Sequence, residues 1–222
     1  MIIVIQCAGT KRDNPGRLET SQGVPVQFVG APEMALPEQK YVFAHPDGIA
    51  DDGKSWRDHL VAYNSNGENP LGLSTAFELY EPPADKDVYR CLVDTLGSEN
   101  VFILSAGWGL IRADFLTPAY DITFAPEVRK RKPWKHRHRR DTYEDLCHLV
   151  ESRGQEVFFV GSKSYVPLFC DLTDHLNTPR TVFFNSNVPP RAPGCALRRF
   201  ETPNKRTWMY DCARTVLKEW IS

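Results

Sequence analysis

A chain of 222 residues with 41% hydrophobic and 25% charged residues can bury one large core, which excludes wholesale disorder and fits a single α/β domain over residues 1–222. The longest apolar stretches, 101–104 and 157–160, are too short to cross a bilayer, and residues 1–6 lack the flank and length of a signal peptide, so a cytoplasmic protein without a membrane partner is expected. The net charge of −1 hides an uneven distribution: residues 129–140 carry eight of the 27 Lys and Arg residues and no acid.

In chain order, residues 1–6 (MIIVIQ) are β-branched and apolar and break off at Cys7-Ala8-Gly9-Thr10-Lys11, which predicts a buried first strand running into a tight loop. Residues 12–37, rich in Pro, Gly and polar side chains, predict a long excursion, with 41–44 as a short extra strand. A second long loop region spans 47–70 around a helix at 56–63, and helices follow at 74–80 and 85–96. The second half predicts strands at 101–105, 157–161 and 181–185, helices at 142–153, 165–176 and 207–220, and an irregular segment at 189–194. This alternation implies a mainly parallel sheet with helices on both faces.

Open parallel sheets bind ligands outside the carboxyl ends of their strands, where loops converge and helix N-termini offer unpaired N–H groups. Four unusual clusters fall at such ends: Gln6, Cys7 and Lys11; Ser105 with Trp108; Gly161-Ser162-Lys163-Ser164; and Asn185. The cluster at Gly161 can hold a phosphate or merely cap a helix; it is not a Walker loop, and no G-x-G-x-x-G follows the first strand, so no nucleotide cofactor is expected. Six cysteines without a C-x-x-C pair read mostly as small buried hydrophobes, and no spacing suggests a metal site. Arg129, Lys130, Arg131, Lys132, Lys135, Arg137, Arg139 and Arg140, with Trp134 to stack on a base or sugar, form either a polyanion contact or a solvated loop. His136 and His138 lie in the same run and read as phosphate contacts before metal ligands.

The stretch from Leu104-Ser105-Ala106-Gly107-Trp108-Gly109 through Arg112 and Asp114 to Tyr120-Asp121 resembles the signature of the YaaA peroxide-stress family and related families. In that pattern a strand ends in Leu-Ser, an aromatic-Gly pair and an Arg follow, and a Tyr lies fifteen residues beyond the Ser; Ser105, Trp108-Gly109, Arg112 and Tyr120 fit. Asp121 departs from YaaA itself and looks like the related families, and Cys7 to Lys11 is similar to their Cys-Gly-x-x-Lys start. YaaA-like proteins in turn resemble distant members of the uracil-DNA glycosylase-like fold, which implies a nucleobase pocket at the strand ends.

That resemblance frames the chemical expectation. Hydrolysis of an N-glycosidic bond builds positive charge on the sugar and leaves an anionic base, so it needs a carboxylate beneath the sugar and donors around the base. Asp121 is the first choice for the carboxylate and Asp114 the second. Gln6, Cys7, Ser105, Gly161, Ser162 and Asn185 are assigned to the base, with Trp108 or Tyr120 stacking on its face. Lys11 and Lys163 join the basic run as phosphate contacts, although the Lys11 amine could instead attack the sugar and form a Schiff base. The expected activity is a metal-independent DNA glycosylase acting on a flipped, modified base. Modified cytosine in phage DNA, excised in antiviral defence, would suit a pocket enlarged by the two long loops. The alternatives are a non-enzymatic DNA-binding stress protein and an enzyme of free nucleosides or nucleotides.

Overall fold

In the computed structural model, which describes residues 1–82, 85–151 and 154–221, the apolar start of the chain forms β1 (Ile2–Gln6) at the centre of the main sheet. The chain continues through β2 (Val26–Val29), β3 (Val42–Ala44), α1 (Trp56–Ser65), β4 (Ser74–Thr75), α2 (Ala76–Leu79), α3 (Val88–Leu96) and β5 (Val101–Ser105). After these come β6 (Gly109–Arg112), β7 (Leu116–Thr117), β8 (Tyr120–Asp121), α4 (Val128–Arg131) and β9 (Leu146–Cys147). The last elements are β10 (Val157–Val160), α5 (Val166–Thr173), β11 (Arg180–Phe184), β12 (Ala196–Arg199) and α6 (Trp208–Ile221).

The main sheet has the order β12-β11-β10-β1-β5-β6-β9. Its first five strands run parallel, β6 turns back antiparallel along β5, and β9 pairs parallel with β6. The fold is therefore a mixed, mainly parallel α/β structure with helices flanking the sheet. Ile3, Val4 and Ile5 are fully buried, as a central strand covered on both faces requires. At the other extreme every residue of β12 is exposed, and Arg198 and Arg199 place charge on that edge, which discourages pairing with a further strand. α3 and α6 pack together, and α6 lays Trp208, Met209, Cys212, Ala213, Val216 and Leu217 inward at helical spacing. Among the described residues, no helix is long and apolar enough to cross a membrane.

The order of the strands decides where a ligand can enter. From β1 the chain crosses to β5 on one side, then to β10 on the other, and continues outward through β11 to β12. Right-handed crossovers put the helices of these two branches on opposite faces, and their loops diverge between β1 and β10. The crevice at that switch point lies outside Gln6 and Val160.

Three segments differ from the sequence expectation. Residues 12–37 contain β2, which pairs with β3 and β8 in a second sheet, with Phe28 opposite Tyr120 and Val29 opposite Asp121. The predicted helix at 142–153 does not form: Leu146 and Cys147 pair with Gly109 and Leu110, because an unpaired edge on β6 outweighs a weak local helical pattern. Residues 152 and 153 of that prediction lie outside the described residues. The helix at 74–80 shortens to α2, since Ser74 and Thr75 pair with β7.

Candidate active site at the strand ends

Ser105 ends β5, and the following turn sends the chain back into β6. Its Oγ accepts from the amides of Gly107 at 3.2 Å and Trp108 at 3.1 Å and donates to the Tyr120 hydroxyl at 2.9 Å. The Tyr120 hydroxyl in turn lies 2.7 Å from that of Tyr80. Gly109 has φ +88°, and a Cβ there would overlap the backbone of Leu146, so the turn requires glycine.

Two buried arginines hold the other side of the turn. Arg57 donates to the carbonyls of Gly107 at 3.1 Å and Trp108 at 3.2 Å, and Arg137 donates to that of Ala106 at 2.9 Å. Each is neutralised by a carboxylate, Arg57 by Asp47 at 2.5 Å and Arg137 by Asp145 at 2.5 and 2.9 Å. A capping box between Ser55 and Asp58 starts α1 and so fixes Arg57 in its first turn. The motif most suggestive of a reacting loop is thus a braced scaffold. Ser105 and Trp108 are fully buried within it and offer no face to a base, and burial pushes the Tyr80 and Tyr120 phenols well above their ordinary pKa.

A cavity of about 560 Å³ opens where the topology places the crevice. That volume is within the range of small-molecule sites, roughly 300–1,000 Å³. Gln6 and Cys7 come from the end of β1, Tyr165 from the start of α5, Lys11 from the first loop, Asp121 from β8, and Arg131 and Lys132 from α4 and its end. Gln6 ties the two strand ends together, its Oε1 accepting from the Ser162 amide at 2.7 Å. A Cβ at Gly161 would overlap the Phe159 ring and crowd Gln6, so glycine permits that approach. The Cys7 thiol lies 3.3 Å from the Tyr165 hydroxyl.

Electrostatically the cavity is lined by two carboxylates, Asp121 and the exposed Glu127, and by the cations Lys11, Arg131, Lys132 and Lys135. Asp121, with its side chain 42% exposed, forms an ion pair with Lys135. Lys11 places its Nζ 4.1 Å from the centre of the Tyr120 ring. Its ammonium is brought down to about 8, chiefly by desolvation, with the Cys7 thiol acting against the shift and the Lys135 charge adding to it. Burial also lowers the pKa of Lys135. A lysine so desolvated is not the permanently charged phosphate contact that the sequence suggests.

The basic segment divides by what each side chain meets. Thr123 accepts from the Arg137 amide at 2.9 Å and its own amide donates to the Lys135 carbonyl at 2.9 Å, a bridge that holds His136 against Thr123 directly after the 3-10 turn Pro133–Lys135. From this anchored stretch Lys135 reaches Asp121 and Arg137 reaches Asp145. Arg137 is 3% exposed and stacks 3.6 Å from the Tyr143 ring centre, so it belongs to the scaffold and cannot meet a phosphate. Arg129, Lys130, Arg131, Lys132, Arg139 and Arg140 stay exposed, and among the described residues none of them is in an ion pair. Trp134 is half-buried, and its carbonyl accepts from Gly30 and Ala31. The rings of His136 and His138 meet edge to face at 4.5 Å, and among the described residues no group of three or more His, Cys, Asp or Glu side chains is placed to hold a metal ion.

The remaining predicted residues lie apart. Asn185 donates to the Phe200 carbonyl at 2.6 Å and, with Ser162 and Lys163, lines a separate hollow of about 270 Å³. Asp114 is on the wrong end of the sheet: β6 runs back from Ser105, and the Ala113 amide reaches the Val101 carbonyl at the start of β5. There Asp114 pairs with Arg112 at 2.5 Å and accepts from Ser98 at 3.2 Å. Among the described residues, the two long loops at 12–37 and 47–70 do not line the cavity, so its size does not come from them. Sequence reasoning missed Tyr165, whose signal was its place just after the Gly161 cluster, and also Arg57 and Asp145, which carry no local signal. In comparison with known proteins, the chain matches no family model, no curated protein and no solved structure.

Proposed function

We propose that the protein is a DNA glycosylase of uracil-DNA glycosylase-like fold that hydrolyses the N-glycosidic bond of a flipped, modified base without a metal or other cofactor. The observation that carries this reading is the partly exposed Asp121 carboxylate in the same cavity as the Gln6 amide and the exposed cations Arg131 and Lys132. Asp121 stabilises the positive charge that develops on the sugar and orients the water that attacks it. Gln6 has its carbonyl engaged by the Ser162 amide, which leaves its NH₂ to donate to an acceptor on the base edge. Arg131 and Lys132 at the mouth contact phosphates on either side of the extruded nucleotide, positioning the strand without reading its sequence.

Purified protein incubated with DNAs bearing different base modifications, including phage DNAs with modified cytosines, should release one base identifiable by mass spectrometry. Asp121→Asn should abolish release while DNA affinity stays within a few-fold, because one cavity charge contributes little to phosphate contacts. Full activity in the variant would remove Asp121 from the mechanism. Tight, salt-dependent DNA binding with no base released from any substrate would favour a non-enzymatic binder, and turnover of free nucleosides alone would favour the third reading.

A further inference from the structure

Base excision as described leaves Lys11 without a task, although it is the most unusual group in the cavity. Its backbone is fixed by a bridge to Tyr80, flanked by hydrogen bonds from the Arg12 amide to the Leu79 carbonyl at 2.9 Å and from the Glu81 amide to the Thr10 carbonyl at 3.2 Å. Its Nζ rests 4.1 Å from the Tyr120 ring centre and 5.9 Å from that of Tyr80. Among the described residues no carboxylate is within ion-pair distance of it, and Asp121 pairs with Lys135 instead. Desolvation without a paired anion, together with the nearby Lys135 cation, outweighs the attraction of the Tyr120 ring face for the ammonium, and the pKa of Lys11 falls to about 8. A phosphate contact calls for a permanent charge at the rim, which Arg131 and Lys132 already provide. A neutral amine inside the cavity is suited to attack on a carbonyl.

We propose that Lys11 is an amine nucleophile that condenses with the C1 aldehyde of a ring-opened abasic sugar, an inference that rests on the glycosylase reading for the origin of that sugar. The Nζ lone pair forms a bond to C1, and the aldehyde oxygen takes up a proton. The resulting carbinolamine loses its C1–O bond as water and leaves an iminium. Removal of a C2 proton, for which the Asp121 carboxylate lines the same cavity, then expels the C3 oxygen with its phosphate and nicks the strand. Water hydrolyses the remaining imine and returns the free amine.

The test supplies the full chain with an oligonucleotide that already contains an abasic site, so that base excision is not needed, and adds borohydride to reduce any imine. A covalent adduct mapped by peptide mass spectrometry to Lys11 is expected, forming faster as pH rises and levelling off above about 8. Lys11→Arg, which keeps a cation but no nucleophile, should lower the yield at least tenfold. Because the mapping uses the wild-type chain, a Lys11→Arg protein that fails to fold does not weaken the test. No adduct, or adducts spread over Lys130, Lys132 and Lys135 without preference for Lys11, would overturn the proposal, while base release from modified DNA would still stand. A Lys11 adduct from a protein that releases no base from any DNA would support the amine chemistry and sink the glycosylase reading.

Discussion

Arg137→Ala separates scaffold from nucleic-acid contact within the basic segment. The wild-type guanidinium and the Asp145 carboxylate have side chains only 4% and 6% exposed, and the same guanidinium supplies a hydrogen bond to the Ala106 carbonyl. Truncation leaves a buried carboxylate unpaired, a change that costs about 3–5 kcal/mol. For a chain of this size each kcal/mol lowers Tm by about 2–4 °C, so a fall of about 6–20 °C is expected. Thermal and urea unfolding of Arg137→Ala should show it, whereas Arg139→Ala and Arg140→Ala, both exposed, should stay within about 0.5 kcal/mol of wild type. Combining Arg137→Met with Asp145→Leu should recover most of the loss, since it removes both charges together. Wild-type stability in Arg137→Ala, combined with weaker and less salt-sensitive DNA binding, would refute the assignment of Arg137 to the scaffold.

The exposed part of the segment should behave in the opposite way. Replacing Arg139 and Arg140 with Ala should weaken DNA binding and flatten the dependence of log affinity on log salt by about 0.7–0.9 for each phosphate no longer neutralised, with the single-turnover rate at saturating DNA unchanged; an unaltered slope would take them off the DNA surface. Lys11 makes stability depend on pH. Its pKa falls from 10.5 to about 8 on folding, so between those values the unfolded chain binds more protons and this group's contribution to stability rises with pH. The buried phenols Tyr80, Tyr120 and Tyr165, raised on folding, act in the opposite sense above pH 10, so the informative quantity is the difference between wild type and Lys11→Met. That difference in urea midpoint should shrink from pH 8 to 10.5; a constant difference would mean that Lys11 titrates normally. Gly109→Ala should destabilise by at least about 2 kcal/mol in the same unfolding assay, from backbone strain at positive φ together with overlap against Leu146, and a neutral result would mean the turn relaxes freely.

The elements legible in the sequence are those whose environment is uniform. β5, β10 and β11 read as continuous apolar runs and lie within one residue of expectation, because strands buried on both faces leave little room for polar residues. β6 and β12 escaped notice for opposite reasons. β6 follows a tight glycine turn and ends in an exposed arginine, while β12 is entirely exposed and has no apolar face. At 142–153 the decisive contacts are tertiary: Asp145 is drawn to Arg137, and the next two residues pair along β6. Within the site, Gln6, Cys7 and Lys11 were legible because they directly follow a recognisable strand. The split of the basic run was not, since Arg137 and Arg139 are chemically alike and differ only in which neighbours the chain provides.

Asp121 and Lys11 show most clearly how the site depends on distant pairing. β8 is two residues long, and it is held in place by β2, whose Phe28 and Val29 lie opposite Tyr120 and Asp121. Successive residues of a strand face opposite ways, so the buried Tyr120 forms the aromatic floor under Lys11 while its neighbour Asp121 reaches the cavity. The carboxylate and the enclosing ring of the amine are thereby set by a single short strand, and a shift of β8 by one residue would exchange their places. The excursion at 12–37, which in the sequence looks like a loop available to enlarge a pocket, instead supplies the strand that fixes this register.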